Sequence, residues 1–177
     1  GYWRDTFLRM EGPGAAALQR IFVEDWDFAC GEALNEPRYF PDVPARGRHS
    51  VQVLESGPDQ EPNTIRELYF AAILAARRRL WIASPYFVPD RGLLDALRRA
   101  RLRGVDVRLL CVHKGDHFLS YHASHYYFTD MLEFGAKIYE YTRGMMHAKA
   151  VLVDDGWALV GSPNLDNRSL HLNFEVA

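Results

Sequence analysis

Between Ser50 and Tyr141 the apolar pattern changes period again and again, and a chain that alternates short apolar runs with longer helical ones has few folds open to it. Ser50 to Leu54 alternates as a strand. Thr64-Ile65-Arg66-Glu67 spells a capping box that opens a helix through Arg79, and Leu80 to Phe87 is an apolar strand closed by Pro85 and Pro89. Asp90 caps a helix that stops at Gly104, Val105 to Val112 is a further strand, His122 to Phe134 a helix ended by Gly135, and Ala136 to Tyr141 a strand. This rhythm predicts an α/β layered fold with a mixed, largely parallel sheet flanked by helices. After Gly144 only strand-like runs remain, so the chemistry is to be sought there.

The first residues read differently. Arg4 to Met10 alternates as a strand, and Gly12-Pro13-Gly14 turns it into a helix with Leu18, Ile21, Phe22 and Trp26 on its apolar side. Residues 1–30 therefore look like the end of an earlier domain, residues 31–48 like a proline-rich linker, and residues 49–177 like the main domain. Gly1 in place of Met, and a closing run from Leu172 to Ala177 that resembles a strand cut short, point to a fragment. Twenty-one Lys and Arg against twenty-three Asp and Glu leave a net charge of −2, which excludes a global positive field for nucleic acid, so an anion site must be local. Cys30 and Cys111 have no metal-ligand spacing and read as buried thiols. No run reaches the roughly 18 apolar residues of a membrane-spanning helix, so the chain as written reads as soluble or peripheral.

Met145 to Val153 and Trp157 to Val160 flank Asp155-Gly156, a two-residue type I′ hairpin signal. With Asp154 facing Trp157, Lys149 faces Ser162 and His147 faces Asn164, on one side of the ribbon. Polar side chains converging on an apolar hairpin call for a ligand or for one another. A fixed cation, two neutral donors and an imidazole are the parts needed to grip phosphate oxygens and attack phosphorus. Asp154 falls on the opposite face, where it would fix the turn.

His147-x-Lys149, Asp154 and Gly161-Ser162-x-Asn164 together resemble the HKD motif of the phospholipase D superfamily at all six specified positions, a coincidence rarer than roughly one in 10⁵. The segments SPYFVPDRGLLDALRRARLRGVDVRLL and HAKAVLVDDGWALVGSPNLDNRSLHLNFE are similar to the second catalytic half of bacterial cardiolipin synthases, and YWRDTFLRMEGPGAAALQRIFVEDW to the end of the first. The resemblance implies a phospholipase D-like layered fold and transfer of a phosphatidyl group between two phosphatidylglycerol molecules. A phosphohistidine intermediate carries the group, glycerol and cardiolipin are the products, and no cofactor or metal takes part. It implies catalytic roles for His147, Lys149, Asp154 and Glu175, with His147 as nucleophile or general acid and Glu175, twenty-eight residues on, orienting its ring. Lys149, Ser162 and Asn164 would bind the phosphate. The family joins two such motifs, so a first HKD half of the same parent chain or a second subunit would supply the other histidine, and this chain alone would be inactive. The parent would sit at the bacterial cytoplasmic membrane.

Two other readings stay open: a phospholipase D-type hydrolase or nuclease, and a non-catalytic module that binds lipid head groups. His113, His117, His122 and His125 with Asp116 invite a metal site, but their spacing fits no zinc motif, and the rim of a head-group cleft suits them better. Tyr86 and Phe87 share that expectation. Arg77-Arg78-Arg79 and Arg98, Arg99, Arg101 and Arg103 lie at helix C-termini, where they complement the helix dipole or face anionic lipid.

Overall fold

The computed structural model describes residues 2–59, 63–115 and 118–177. The elements run β1 (Trp3–Arg4), α1 (Pro13–Cys30), β2 (Glu55–Ser56), α2 (Thr64–Ala75), β3 (Arg79–Ala83), β4 (Phe87–Val88), α3 (Arg91–Leu102), β5 (Asp106–Val112) and α4 (Phe118–Glu133). They continue with β6 (Lys137–Tyr141), β7 (Met145–Met146), β8 (Ala150–Val153), β9 (Trp157–Val160), β10 (Leu165–Asp166), α5 (Asn167–His171) and β11 (Glu175–Val176). The chain divides into two compact units, residues 8–55 and residues 1–7 with 56–177. In the smaller, α1 begins at Pro13, ends on Gly31 in the left-handed conformation, and is followed by an irregular stretch holding one 3₁₀ turn, Pro37–Tyr39.

The larger unit is built on a five-stranded mixed sheet in the order β6-β5-β3-β8-β9. Strands β6, β5 and β3 run parallel, β8 is antiparallel to β3, and β9 returns antiparallel to β8. Leu80, Ile82, Val107, Leu109, Cys111, Val151, Val153 and Leu159 point to one face, where they meet α2, α3 and α4 in a single core. Helix α3 shows why: Leu93, Ala96, Leu97 and Ala100 follow the 3.6-residue period and are all buried, and the Asp90 carboxylate accepts from Leu93 N at 2.9 Å. Each large apolar side chain so buried contributes about 1.5–3 kcal/mol. The opposite face carries Trp81, Ala83, Arg108, Leu110, Tyr139 and Leu152 along an open groove of about 440 Å³. The expected cover of helices is therefore present on one face of the sheet among the described residues.

Several boundaries move. The strand expected at Ser50–Leu54 does not form, and only Glu55–Ser56 is extended; likewise only Trp3–Arg4 of the run to Met10 is a strand. The capping box at Thr64 gives way to Asn63 as the N-cap, whose side-chain amide turns instead to His171 Nδ1 at 3.1 Å. Helix α2 ends at Ala75 rather than Arg79, because Arg103 reaches the carbonyls of Ile73, Leu74 and Ala76 at 3.3 Å each and the next three residues are claimed by Asp154. Helix α4 starts four residues early, at Phe118.

The hairpin also departs from its expected register. Val153 pairs with Trp157 and Ala150 with Val160, so three residues, Asp154 to Gly156, make the loop, and Asp154 holds φ at +50°. An aspartate tolerates that left-handed conformation better than most side chains. Here its carboxylate receives the backbone N–H groups of Arg77 at 3.1 Å, Arg78 at 2.8 Å and Arg79 at 2.9 Å. Those bonds draw Asp154 out of the ladder and shift every opposed pair by one.

Candidate active site

Strand β1 lies parallel to β7, with Trp3 beside Met145 and Arg4 beside Met146. Met145 N donates to Tyr2 O at 2.9 Å and His147 N to Arg4 O at 2.8 Å, so the backbone of residues 2–4 seats the histidine. Gly144 makes the approach feasible: at φ +142° it presses against Tyr2 O where a Cβ would collide. The next residue, Asp5, then reaches the ring, its Oδ2 lying 3.1 Å from His147 Nδ1, and Trp3 packs edge-on against the imidazole at 5.2 Å.

Lys149 holds the other nitrogen. Its Nζ donates to His147 Nε2 at 2.8 Å and to His147 O at 2.7 Å. An ammonium only donates and a carboxylate only accepts, so the ring is the Nδ1–H tautomer with the Nε2 lone pair on the lysine side. Burial lowers the pKa of the Lys149 ammonium, and the negative charges of Asp5, Glu175 and Asp166 act against that shift. Burial also works against the Asp5 carboxylate, but its bonds with His147 and with Thr6 N–H and the nearby charges outweigh it, so its pKa falls below the ordinary value.

Glu175 stands elsewhere than expected. The resemblance gave it the His147 ring; that position belongs to Asp5, and the buried Glu175 carboxylate accepts from Ser162 Oγ and, at 3.2 Å, from Asn173 Nδ2. Strand β11 is brought there by Ser162 N, which donates to Val176 O at 2.8 Å, and by Val176 N, which donates to Ser162 Oγ at 3.0 Å. Gly161 admits it, since a Cβ there would strike Val176 O. Lys149 and Ser162 are thus not a direct cross-strand pair: with the shifted register Lys149 O faces Gly161 N at 3.4 Å. The Asn164 amide oxygen is buried with no partner among the described residues. The Tyr69 hydroxyl donates to Pro163 O at 3.2 Å, fixing the loop that carries Ser162 and Asn164.

Asp154, placed by the resemblance among the catalytic residues, lies at the opposite end of β8 from Lys149, its carboxylate filled by three backbone donors. Phe87 is fully buried, with its N–H on Ser124 Oγ at 3.0 Å, and so packs the core instead of lining a rim. His113 Nδ1 and His125 Nε2 lie 3.0 and 3.1 Å from the two oxygens of Glu140; Asp116 and His117 fall outside the described residues. The expected buried state holds for Cys111, whereas Cys30 is exposed. Arg78 and Arg79 pair with Asp155, and Arg101 donates to Gly135 O at 2.7 Å and to Val105 O at 3.4 Å. These arginines close the far end of the sheet. Among the described residues no group of three His, Cys, Asp or Glu is arranged to hold a metal ion, and no helix is long and apolar enough to cross a membrane. Two participants escaped the sequence reading: Asp5, 142 residues from its histidine, and Asn173, two residues from Glu175.

The family described as cardiolipin synthase, PLD-like domain, matches residues 69–177, and the chain belongs to that family. It is 47% identical over 178 residues to cardiolipin synthase from Geobacillus thermodenitrificans and 47% identical to cardiolipin synthase 2 from Bacillus anthracis; 99% of this chain is covered in each case. It spans 36% and 35% of the length of those relatives. Among solved structures, the phospholipase D family member Nuc from Salmonella typhimurium superposes with a TM-score of 0.61 at 24% identity, over 72% of this chain and 79% of that one. Phosphatidylserine synthase from Haemophilus influenzae superposes with a TM-score of 0.54 at 19% identity, over 70% of this chain and 33% of that one. Both share the fold.

Proposed function

We propose that this chain is the second catalytic half of a bacterial cardiolipin synthase and that His147 is its nucleophile. The observation that carries the reading is the His147 ring itself: a carboxylate on Nδ1 and a donor-only ammonium on Nε2 leave a lone pair, not a proton, facing the site. A ring in that tautomer attacks; it does not protonate a leaving group. In the first step Nε2 forms a bond to the phosphorus of phosphatidylglycerol and the glycerol oxygen departs, taking a proton from a general acid. In the second, a hydroxyl of another phosphatidylglycerol attacks the phosphohistidine, its proton passes to that same group, and cardiolipin leaves. Lys149 and the Asn164 amide hold the phosphoryl oxygens, Ser162 joins them when its hydroxyl turns from Glu175 to the phosphate, and Asp5 keeps the ring in the attacking tautomer.

The general acid would be the histidine of a first HKD half or of a second subunit, and the site would work at the surface of the bacterial membrane. The relatives' names and their length, nearly three times that of this chain, support this arrangement. The test uses the whole enzyme on phosphatidylglycerol vesicles, with products separated by thin-layer chromatography. His147→Ala should reduce cardiolipin output at least about 10⁴-fold. Unchanged output would remove His147 from the chemistry, phosphatidic acid in place of cardiolipin would make the protein a hydrolase, and nicked plasmid a nuclease.

A further inference from the structure

The same lone pair that makes His147 a nucleophile is occupied. Lys149 Nζ lies 2.8 Å from Nε2, an ordinary hydrogen-bond length, and a lone pair that accepts this bond cannot also attack phosphorus. A second bond, to His147 O at 2.7 Å, anchors the ammonium at its own strand, so the contact is a two-point clasp and not a chance approach of a long side chain. Lys149 is also buried, with little room to swing away unaided.

We propose that Lys149 caps the nucleophile in the resting site and that the phosphate group itself removes the cap. This rests on the reading of His147 as the attacking residue. The exchange is one of hydrogen-bond acceptors. Neutral imidazole nitrogen is a weaker partner for an ammonium than an anionic phosphoryl oxygen, because a bond between two ions is charge-assisted on both sides. When a phosphodiester enters, one of its oxygens accepts the Nζ–H hydrogen bond that Nε2 was accepting, and the freed lone pair faces the phosphorus whose oxygen has just been bound. Attraction to Asp5, Glu175 and Asp166 holds the cation near its place during the exchange. A neutral ester offers no anionic oxygen, so it lacks the doubly charge-assisted bond and leaves the cap on. The lysine therefore selects twice, once by binding the anion and once by withholding the nucleophile from anything else.

Diethyl pyrocarbonate, a neutral electrophile that attacks unprotonated imidazole, reads the cap directly. At pH 8, where ordinary imidazoles are neutral, its modification of each histidine in this chain can be followed by peptide mass spectrometry. The His147 side chain is 38% exposed and that of His113 is 53% exposed, so access alone would give the two comparable rates. A capped His147 should react at least about tenfold more slowly than His113, and Lys149→Met should raise its rate about tenfold or more while leaving His113 unchanged. Equal rates in the unmutated chain, or no acceleration in the variant, would overturn the proposal. Should Lys149→Met fail to fold, nitrogen-15 NMR of the unmutated chain decides: inorganic phosphate should move the His147 Nε2 resonance downfield as its hydrogen bond is lost. A resonance that stays, or moves upfield, would overturn it too. Neither measurement involves lipid or turnover, so a failure here leaves the transferase reading standing, and a failure of that reading leaves the cap measurable.

Discussion

Asp5 and Asp154 are both aspartates beside strand β8, one next to the segment that leads into it and the other just past its end. Asp154 fills its carboxylate with three backbone N–H groups from residues 77–79, while Asp5 takes one backbone N–H, that of Thr6, and one imidazole. The same residue type thus closes the fold at one end of the sheet and sets a tautomer at the other. What differs is the partner: Asp154 meets only backbone amides, whereas Asp5 meets one nitrogen of an imidazole whose other nitrogen is turned to Lys149. An acid bonded only to backbone adds rigidity, and an acid bonded to a ring nitrogen fixes which tautomer that ring adopts.

Exchanging the two carboxylates for amides would break or sharpen this contrast. Asp5→Asn should lower kcat of the whole enzyme by about 10²–10³-fold, with KM little changed, because the amide no longer enforces Nδ1–H on His147. Steady-state kinetics on phosphatidylglycerol would show it, and a rise in KM at constant kcat would mean that Asp5 serves binding alone. Asp154→Ala should do the reverse. Its Tm should fall by roughly 5 °C as residues 77–79 lose their acceptor, with kcat per folded molecule changed less than about twofold. Should Asp154→Ala abolish turnover in a protein that melts normally, the two ends would not be separable in this way.

The smallest effect concerns pH. Lys137 lies 2.8 Å from Asp106, and together with Trp81 Nε1 and Arg108 it lowers the Asp106 pKa to about 2 despite some burial. A carboxylate held below its ordinary value of about 3.9 favours the native state above that pH and loses the advantage as pH falls toward 2. After solvent screening this advantage is about 1–2 kcal/mol. Denaturant melts of Asp106→Asn should therefore match the parent near pH 2 and fall below it at pH 6. This group is at the start of β5, away from His147, so the catalytic pH profile should not move.

How much of this was legible differs from element to element. Helix α3 could be read from four apolar residues at helical spacing plus Asp90, since local signals and core packing there agree. The motif residues were legible as a set, but their mutual placement was not. Asp155-Gly156 reads as a two-residue turn, and nothing local reveals that Asp154 will be pulled into a left-handed conformation by amides some 75 residues earlier in the chain. Glu175 has the spacing of an orienting acid, yet spacing along a chain does not say which of two nearby polar groups it will meet, and Ser162 is the one it meets. Asp5 carried no signal, because its role arises from the pairing of β1 with β7.

Gly144 and Gly161 each leave out a side chain where a backbone segment that leads to or carries a carboxylate must pass, Tyr2 before Asp5 in one case and β11 with Glu175 in the other. Neither has an atom able to meet a phosphate, yet a methyl group at either would shift an acid by the width of that methyl. Inactivating alleles found at 144 or 161 in a genetic screen would thus look like losses of catalytic residues, and the lesion would in truth be one of clearance between two backbones.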